Sequence, residues 1–330
     1  MNSAREQQSF LDRSVLVTGG GGFIGANLVR RLNDLGARVH LLMRPQAGSW
    51  RIREIMEHTQ IHTGDITDGD SLARAFAESA PEFVFHLATP RGNDASAWVR
   101  MAEVNVLGAL RLVEQLQKTP STHMVVAGSG LEYGPNAQPH REQDTLTPNT
   151  WHGVGKVAAG LIFLQAASSF GLRINHLRLF HVYGPWESPH RLLPSVIRAS
   201  LCGTPLPLTR SDVRRDWIYV EDVVDALLSA ASAETQGETC NIGSGTETSN
   251  ERVVDIVEQL TGITLVRVPG VFPCSVSDTA HRCADISKSK MLLGWMPRHD
   301  ITAGISAMLG WYRLNPHVWE SETGGKPLHV

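Results

Sequence analysis

Thr18-Gly19-Gly20-Gly21-Gly22-Phe23-Ile24-Gly25 is the stretch that decides the fold, because its glycines are spaced as Gly-x-x-Gly-x-x-Gly. It directly follows the β-branched run at residues 14–17 and directly precedes a helix-like segment at 23–35. Glycines allow a tight turn and let backbone N–H groups approach a pyrophosphate at the positive end of a helix. The alternative is a purely structural turn. Five residues are predicted to bind the phosphates of a dinucleotide: Gly19, Gly22, Phe23, Ile24 and Gly25.

Beyond this loop, the first half of the chain alternates strand-like and helix-like segments. Apolar runs at 38–43, 82–87, 123–127 and 174–180 are separated by amphipathic stretches, notably 96–118 and 153–170. Such alternation is typical of a parallel sheet covered by helices on both faces. We predict an α/β protein whose residues 1–180 form a Rossmann-type, doubly wound parallel sheet. Residues 181–330 are predicted to form a smaller C-terminal α/β substrate-binding domain, with parts of 214–246 returning to the Rossmann sheet.

The composition excludes several classes of protein. The 330 residues have a net charge of −3 and a hydrophobic content of 42%, so no basic excess indicates nucleic-acid binding. We expect no apolar run to approach the ~20 residues of a membrane span. The four cysteines form no CxxC pair, and the polar N-terminus lacks the apolar core of a secretory signal. We predict a cytoplasmic protein that binds neither nucleic acid, nor membranes, nor a metal ion.

The residue at the end of the second strand bears on the choice of nicotinamide cofactor. An acidic residue there would accept hydrogen bonds from the adenosine ribose and repel a 2′-phosphate. This chain has Arg44 instead, which favours NADP(H), although NAD(H) stays open and a solvated surface arginine is the alternative. Asp65 is placed to accept a hydrogen bond from the adenine amino group, unless it only caps a turn.

A set of short motifs follows in a fixed order along the chain: TGGGGFIG from Thr18, GDI from Gly64, HLA from His86, NVLGALRLVE from Asn105, GSGLEYGP from Gly128, RLFHVYGP from Arg178, RRDWIYVEDV from Arg214, NIG from Asn241 and LGWMP from Leu293. These motifs resemble the extended short-chain dehydrogenase/reductases, the family of nucleotide-sugar epimerases, dehydratases and reductases. The resemblance covers residues 15–312.

This resemblance implies a Rossmann domain and a C-terminal domain that holds a nucleoside-diphosphate sugar. It also implies a homodimer formed through the helices near 96–118 and 153–170. Cofactor contacts outside the glycine loop are implied at five further positions: Ile66, Leu87, Ala88, Asn105 and Lys156.

The resemblance further implies a catalytic serine, tyrosine and lysine, and this chain departs from that pattern. Ser129 and Lys156 match, but His152 occupies the tyrosine position of Tyr-x-x-x-Lys. Histidine has an ordinary pKa of about 6.5, which suits acid catalysis near neutral pH. Because Lys156 would lower that pKa, activity should fall as the pH rises above roughly 6 to 7. The alternative is a site that is slow or inactive.

The two residues after the serine discriminate between reactions in this family. Sugar 4,6-dehydratases have an acidic pair there, whereas this chain has Gly130-Leu131. The sequence therefore favours NADPH-dependent reduction of a nucleotide-linked 4-keto(-6-deoxy) sugar, with His152 as the proton donor. An NAD(P)-dependent nucleotide-sugar epimerase is the alternative enzyme. The non-enzyme alternative is a catalytically impaired, NADP-binding redox sensor.

Basic residues in the second half match family positions that bind the substrate's diphosphate. Arg215 and Arg282 are the predicted clamp, because guanidinium groups form bidentate bonds with phosphates. The alternative is ion pairing of these arginines at the surface. His181 replaces an asparagine found in relatives, and Arg191-Leu192 should line the nucleotide pocket.

Overall fold

The computed structural model describes residues 8–45, 47–48, 50–90, 95–208, 213–269, 281–316 and 318. Its strands are β1 (Ser14–Thr18), β2 (Arg38–Met43), β3 (Gln60–Thr63), β4 (Phe83–His86), β5 (His123–Ser129), β6 (Ile174–Leu179), β7 (His181–Tyr183), β8 (Leu206–Leu208), β9 (Arg214–Tyr219), β10 (Thr239–Ile242), β11 (Glu247–Ser249) and β12 (Arg267–Pro269).

Helices connect most of these strands. The α-helices are α1 (Phe23–Asp34), α2 (Gly69–Ser79), α3 (Ala95–Ala102), α4 (Gly108–Lys118), α5 (Trp151–Phe170), α6 (Leu192–Cys202), α7 (Val220–Ser232), α8 (Asn250–Thr261), α9 (Ser287–Leu293) and α10 (Ile301–Leu314). A π turn, Glu103–Leu107, joins α3 to α4, and 3-10 turns cover Trp50–His58 and Gly130–Glu132.

A parallel seven-stranded sheet lies at the centre, in the order β10-β6-β5-β4-β1-β2-β3. Side chains of each strand alternate between its two faces, as pleating requires. Val15 and Val17 pack with α1 and α7 on one face, whereas Leu16 packs with α2, α4 and α5 on the other. The predicted Rossmann-type, doubly wound fold is therefore confirmed.

The smaller part of the molecule is built from a three-stranded sheet, β11-β9-β7, and a pair, β12-β8. A separate apolar cluster holds α6, α8 and α10 together around Trp217 of β9. Strand β10 lies beside β6 in the central sheet, although it follows β9 in the chain. The division of the chain at residue 180 stays a prediction.

The strand order reverses direction between β1 and β4. Parallel strands of such a sheet open a crevice at their carboxyl ends at this switch point, where ligands bind. Thr18, His86 and Ser129 end β1, β4 and β5 and therefore lie along the same edge.

Helix α5 departs from the expectation that no apolar run could span a membrane. Its 20 residues are long and apolar enough by length and composition alone, among the residues described. Core helices of soluble proteins pass the same test, and α5 packs against β5, β6 and α4. Length and composition alone are therefore weak evidence that α5 spans a membrane.

Candidate active site

The glycine loop between β1 and α1 fits a pyrophosphate. Gly19 has φ +79°, and a Cβ atom there would lie 2.6 Å from the backbone nitrogen of Ala88. A Cβ at Gly25 would lie 2.3 Å from the carbonyl oxygen of Gly19. No described side chain caps α1 at Gly22, so the first N–H groups of the helix are available to an anion. The Leu87 N–H donates a hydrogen bond to the carbonyl oxygen of Thr18, which holds the neighbouring Ala88 against the loop.

The adenosine end of the predicted cofactor site contains Arg44 and Asp65. Arg44 is exposed directly after β2. Asp65 accepts a 3.0 Å hydrogen bond from the Thr67 nitrogen and forms an ion pair with Arg100 of α3. Burial raises the pKa of Asp65, but the Thr67 and Arg100 contacts outweigh it and leave that pKa lowered. Arg100 was not predicted from the sequence, because its partner Asp65 lies outside α3 and 35 residues away in the chain. Ile66 packs against Gly108.

The π turn places Asn105 inside the molecule. Its side chain is buried, and neither its oxygen nor its nitrogen has a hydrogen-bond partner among the described residues. A Cβ at Gly155 would lie 2.6 Å from the Asn105 Nδ2 atom, so the amide lies against α5. Buried amides without partners are uncommon, and π turns are frequent at functional sites. Asn105 thus fits a residue that hydrogen-bonds a ligand.

Ser129, His152 and Lys156 come from two neighbouring elements. Ser129 ends β5, and its Oγ accepts a 3.1 Å bond from the Leu131 nitrogen. Lys156 Nζ donates to the carbonyl oxygen of Ala127 at 2.6 Å. A Cβ at Gly153 would lie 2.2 Å from the Leu131 carbonyl oxygen, so the first turn of α5 rests on the turn after Ser129. His152 belongs to this first turn and is partly buried.

The environment of His152 makes its protonated imidazole more acidic than an exposed one. Burial and the charge of Lys156 lower the pKa of His152 to about 4, against a smaller opposing effect of Glu132. Burial also lowers the pKa of Lys156 to about 8. Sequence reasoning included the lysine but not the burial, so the pKa of His152 lies further below 6.5 than expected.

No tyrosine can replace His152 from elsewhere. The chain has four, and all of them are buried in other places. Tyr133 donates to the Asn241 oxygen at 2.8 Å, and Tyr219 packs on His299 with the ring centroids 4.8 Å apart. Tyr183 and Tyr312 belong to the cluster of the smaller part. None of the four phenols therefore lies at position 152, where this chain has an imidazole.

Glu132 is a residue of this site that sequence reasoning did not single out. It is fully buried, and its carboxylate accepts bonds from Ser129 N at 2.8 Å and Arg178 Nε at 2.7 Å. Burial raises the pKa of Glu132, but His176, Arg178 and Ser129 bring it down to about 2. The Ser-x-x-Glu spacing is the signature of a capping box and could have indicated the bond to Ser129.

The predicted substrate residues gather around His181 of β7. Burial, followed by the charges of Arg191, Arg215 and Arg282, lowers the pKa of His181 well below its usual range. Its ring meets the Trp217 ring edge-on at a centroid distance of 4.3 Å. Three guanidinium charges therefore act on one side chain, an arrangement that suits a diphosphate. Leu192 begins α6 directly after Arg191.

Asp216 anchors the two segments that contain the clamp arginines. It is buried on β9 and accepts hydrogen bonds from Ser244 Oγ at 2.7 Å, Gly245 N at 3.1 Å and Ala284 N at 3.0 Å. Arg215 precedes it in β9, and Arg282 lies two residues before Ala284. Within the described ranges, no group of three or more His, Cys, Asp or Glu side chains could hold a metal ion.

A glycine loop at the sheet's switch point, together with a serine at the end of β5 and a lysine in the second turn of α5, defines a Rossmann-type enzyme that uses a dinucleotide. The NAD dependent epimerase/dehydratase family matches residues 15–243, more than half of the chain. The chain belongs to this family.

Individual relatives agree with this assignment. The UDP-glucose 4-epimerase of Mycolicibacterium smegmatis is 30% identical over 312 residues, covering 90% of this chain and 98% of the relative. The dTDP-glucose 4,6-dehydratase of Xanthomonas campestris pv. campestris is 29% identical, covering 91% and 93%. A solved structure of MoeE5 in complex with UDP-glucose and NAD has a TM-score of 0.79 at 30% identity, covering 92% of this chain and 99% of MoeE5.

Proposed function

We propose that the protein reduces a nucleotide-linked 4-keto(-6-deoxy) sugar to the 4-hydroxy sugar with NADPH, and that His152 donates the proton. The observation that supports this most is the composition of the turn after Ser129. Neither Gly130 nor Leu131 titrates, and a Cβ at Gly130 would press on the Phe180 ring at 3.2 Å. Glu132 is engaged with Arg178 and is therefore not available to move protons at C5 or C6 of a sugar. The acid and the base that a dehydratase needs are therefore not available in this turn.

Each catalytic side chain has one task in this reaction. The glycine loop would hold the pyrophosphate of a nicotinamide cofactor, which would supply a hydride to the carbonyl carbon. The Ser129 hydroxyl donates a hydrogen bond to the carbonyl oxygen and orients it. His152 transfers its proton to that oxygen, which receives the electron pair of the C=O π bond, and then regains a proton from water. Lys156 holds the nicotinamide ribose and, as a cation, favours proton release by His152.

The cofactor preference depends on Arg44. An exposed guanidinium directly after β2 can pair with a 2′-phosphate, which supports NADP(H). MoeE5 was solved with NAD, so NAD(H) is the competing choice. If Arg44→Ala leaves the preference for NADPH over NADH unchanged, the arginine does not select the cofactor. Arg38, an exposed residue at the start of β2, gives the matched control variant Arg38→Ala.

A nucleotide-sugar 4-epimerase is the second candidate, and one observation favours it. With a pKa of about 4, His152 is an uncharged base at neutral pH and can accept the hydroxyl proton of an oxidative first step. The epimerase of M. smegmatis is also among the relatives. An epimerase needs to retain its NAD between two hydride transfers, whereas a reductase exchanges NADPH at each turnover.

The substrate proposed here is a nucleoside-diphosphate sugar, held by Arg191, Arg215 and Arg282 beside His181.

We also propose a cytoplasmic homodimer. Several large apolar side chains are exposed on α3, the π turn, α4 and α5, which is where a second copy would pack: Trp98, Val99, Leu107, Leu110, Trp151, Val154 and Leu161.

The deciding experiment is mass spectrometry of the nucleotide released from purified protein, with NADPH and NADH titrations of the same sample. Little retained nucleotide and a clear preference for NADPH would support the reductase, and a panel of UDP-, dTDP- and GDP-linked 4-keto sugars should then include a substrate. Stoichiometric, tightly held NAD would favour the epimerase. Tight NADP without turnover of any panel member or of UDP-glucose would favour the redox sensor.

A further inference from the structure

The carboxylate of Glu132 lies where three elements of the proposed catalytic site meet: β5 with the turn that follows it, β6 and α5. It belongs to the 3-10 turn after β5, and its partners Arg178 and His176 both belong to β6. The His176 Nε2 atom lies 3.3 Å from Glu132 Oε1, and Arg178 Nε lies 2.7 Å from Oε2. All three side chains are buried.

Two glycines make room for this cluster. A Cβ at Gly128 would lie 2.5 Å from Glu132 Oε1 and 2.3 Å from His176 Nε2. A Cβ at Gly160 of α5 would lie 2.9 Å from the His176 ring. The cluster therefore occupies a space that β5 and α5 leave open only because both positions lack side chains.

The same turn supports the residues that act on the substrate. Glu132 accepts the backbone N–H of Ser129, and the Ser129 hydroxyl accepts the N–H of Leu131, so the two form a capping box. The carbonyl of Leu131 in turn rests against Gly153, the neighbour of His152. Moving Glu132 would thus move Ser129 and the first turn of α5 together.

The two charges that act on His152 have opposite signs and come from Lys156 and Glu132. Lys156 is one turn further along α5, and its positive charge opposes protonation of His152. Lys156 also faces His86 at the end of β4. Glu132 is the negative charge that acts on both His152 and Lys156 from outside α5. A histidine donor is cationic in its reactive form, so a nearby carboxylate stabilises that form.

We propose that Glu132 is a positioning residue for the reaction: it fixes the Ser129 turn and supplies the negative charge that protonated His152 and Lys156 need in a buried site. This inference rests on the proposed function of Ser129, His152 and Lys156. Arg178 and His176 hold the carboxylate in place and keep it ionised.

The test is an NMR titration of Lys156 in protein labelled with ¹³C-lysine, which needs no substrate. The chain has five lysines, so the Lys156 signal can be assigned with Lys156→Arg. We expect the Lys156 signal of the wild type to titrate near its pKa of about 8, and the midpoint to fall by about 1 unit in Glu132→Gln. An unchanged midpoint in this variant would overturn the proposal.

Glu142→Gln is the matched control. Glu142 also accepts a backbone N–H next to this cluster, that of Asn241 at 2.7 Å, but it does not act on His152 or Lys156. Its variant should leave the Lys156 midpoint in place, and an equal fall in both variants would count against a specific role of Glu132. If Glu132→Gln does not fold by circular dichroism, the pair Glu132→Gln/Arg178→Gln removes both charges and should still give a fall, although a smaller one because the Arg178 cation is also lost.

A second measurement separates this inference from the proposed reaction. Once a keto-sugar of the panel is turned over, Glu132→Gln should shift the pH profile of the rate to lower pH. If no keto-sugar reacts but the Lys156 midpoint falls, the reductase assignment fails while the electrostatic role of Glu132 stands.

Discussion

The carbonyl oxygen of Ala127 accepts a 2.6 Å hydrogen bond from Lys156 Nζ, which fixes the lysine beneath the end of β5. The ammonium group is buried, and burial brings its pKa to about 8. The charge of Lys156 therefore changes within the range of ordinary assays, and the acidity of His152 changes with it.

The pH dependence of reduction should follow the protonated fraction of His152. Because its pKa is about 4, that fraction falls about tenfold per pH unit above this value. We expect the initial rate of NADPH oxidation to decrease steadily from pH 5 to pH 7. His152→Ala should lose about 10²- to 10⁴-fold in kcat. His152→Tyr should retain activity and move the alkaline limit upward, and an unaltered profile would contradict the donor role.

Gly19→Ala should weaken cofactor binding. The new Cβ would collide with Ala88, and φ of +79° is unfavourable for any side chain. Gly262→Ala is the control, because its φ is +72° but no described atom lies within 4 Å of the Cβ position. Gly262→Ala should lose about 1 kcal/mol of unfolding free energy from backbone strain, and Gly19→Ala should lose more because its Cβ also collides with the backbone of Ala88. Only Gly19→Ala should weaken NADPH binding, by at least about tenfold, in a fluorescence titration.

Acidification should destabilise the fold well above pH 4. Burial lowers the pKa of His40 and of His123 to about 4, with smaller contributions from His62 and Arg173 respectively, and burial and Lys156 lower that of His86 to about 3. Between pH 6.5 and these values the unfolded chain binds protons that the folded chain does not, so stability falls as the pH falls.

Each of these three histidines should remove about 2 kcal/mol of unfolding free energy between pH 7.5 and pH 5. Urea unfolding at both pH values measures the sum of these contributions together with those of His152 and His181, whose pKa values are also lowered by burial. His58 is exposed, so His58→Gln should leave the pH dependence as it is. Equal stability at both pH values would show that the buried histidines do not control acid unfolding.

The exposed apolar surface of α4 and α5 should be the dimer interface. Leu161 is 59% exposed in the middle of α5, so Leu161→Glu would place a charge in the interface and should halve the mass measured by light scattering. Leu314 is 82% exposed at the end of α10, and Leu314→Glu should keep the dimer. A wild-type monomer, or a dimer that survives Leu161→Glu, would refute this arrangement.

Local patterns account for what could be predicted from the sequence. The alternation of apolar runs and the Gly19–Gly25 spacing depend on neighbouring residues, and the predicted sheet and its helices are present. The π turn was not predicted, because the residues at 96–118 read as one continuous helix. Asn105 lies in this π turn, so the orientation of its side chain could not be predicted from the sequence.

The electrostatics of the site depend on contacts that are distant in sequence. Glu132 and Arg178 are 46 residues apart, and Asp65 and Arg100 are 35 apart. No periodicity links such positions. Burial of His152 likewise results from packing of α5 against the turn after β5, so its pKa could be predicted in direction but not in size.

The four buried tyrosines have a consequence for how this chemistry can change. Each phenol packs elsewhere, so the exchange of phenol for imidazole that we propose concerns position 152 alone. Tyrosine and histidine codons differ by a single base. If His152 is the proton donor, one point mutation separates the two acid–base chemistries.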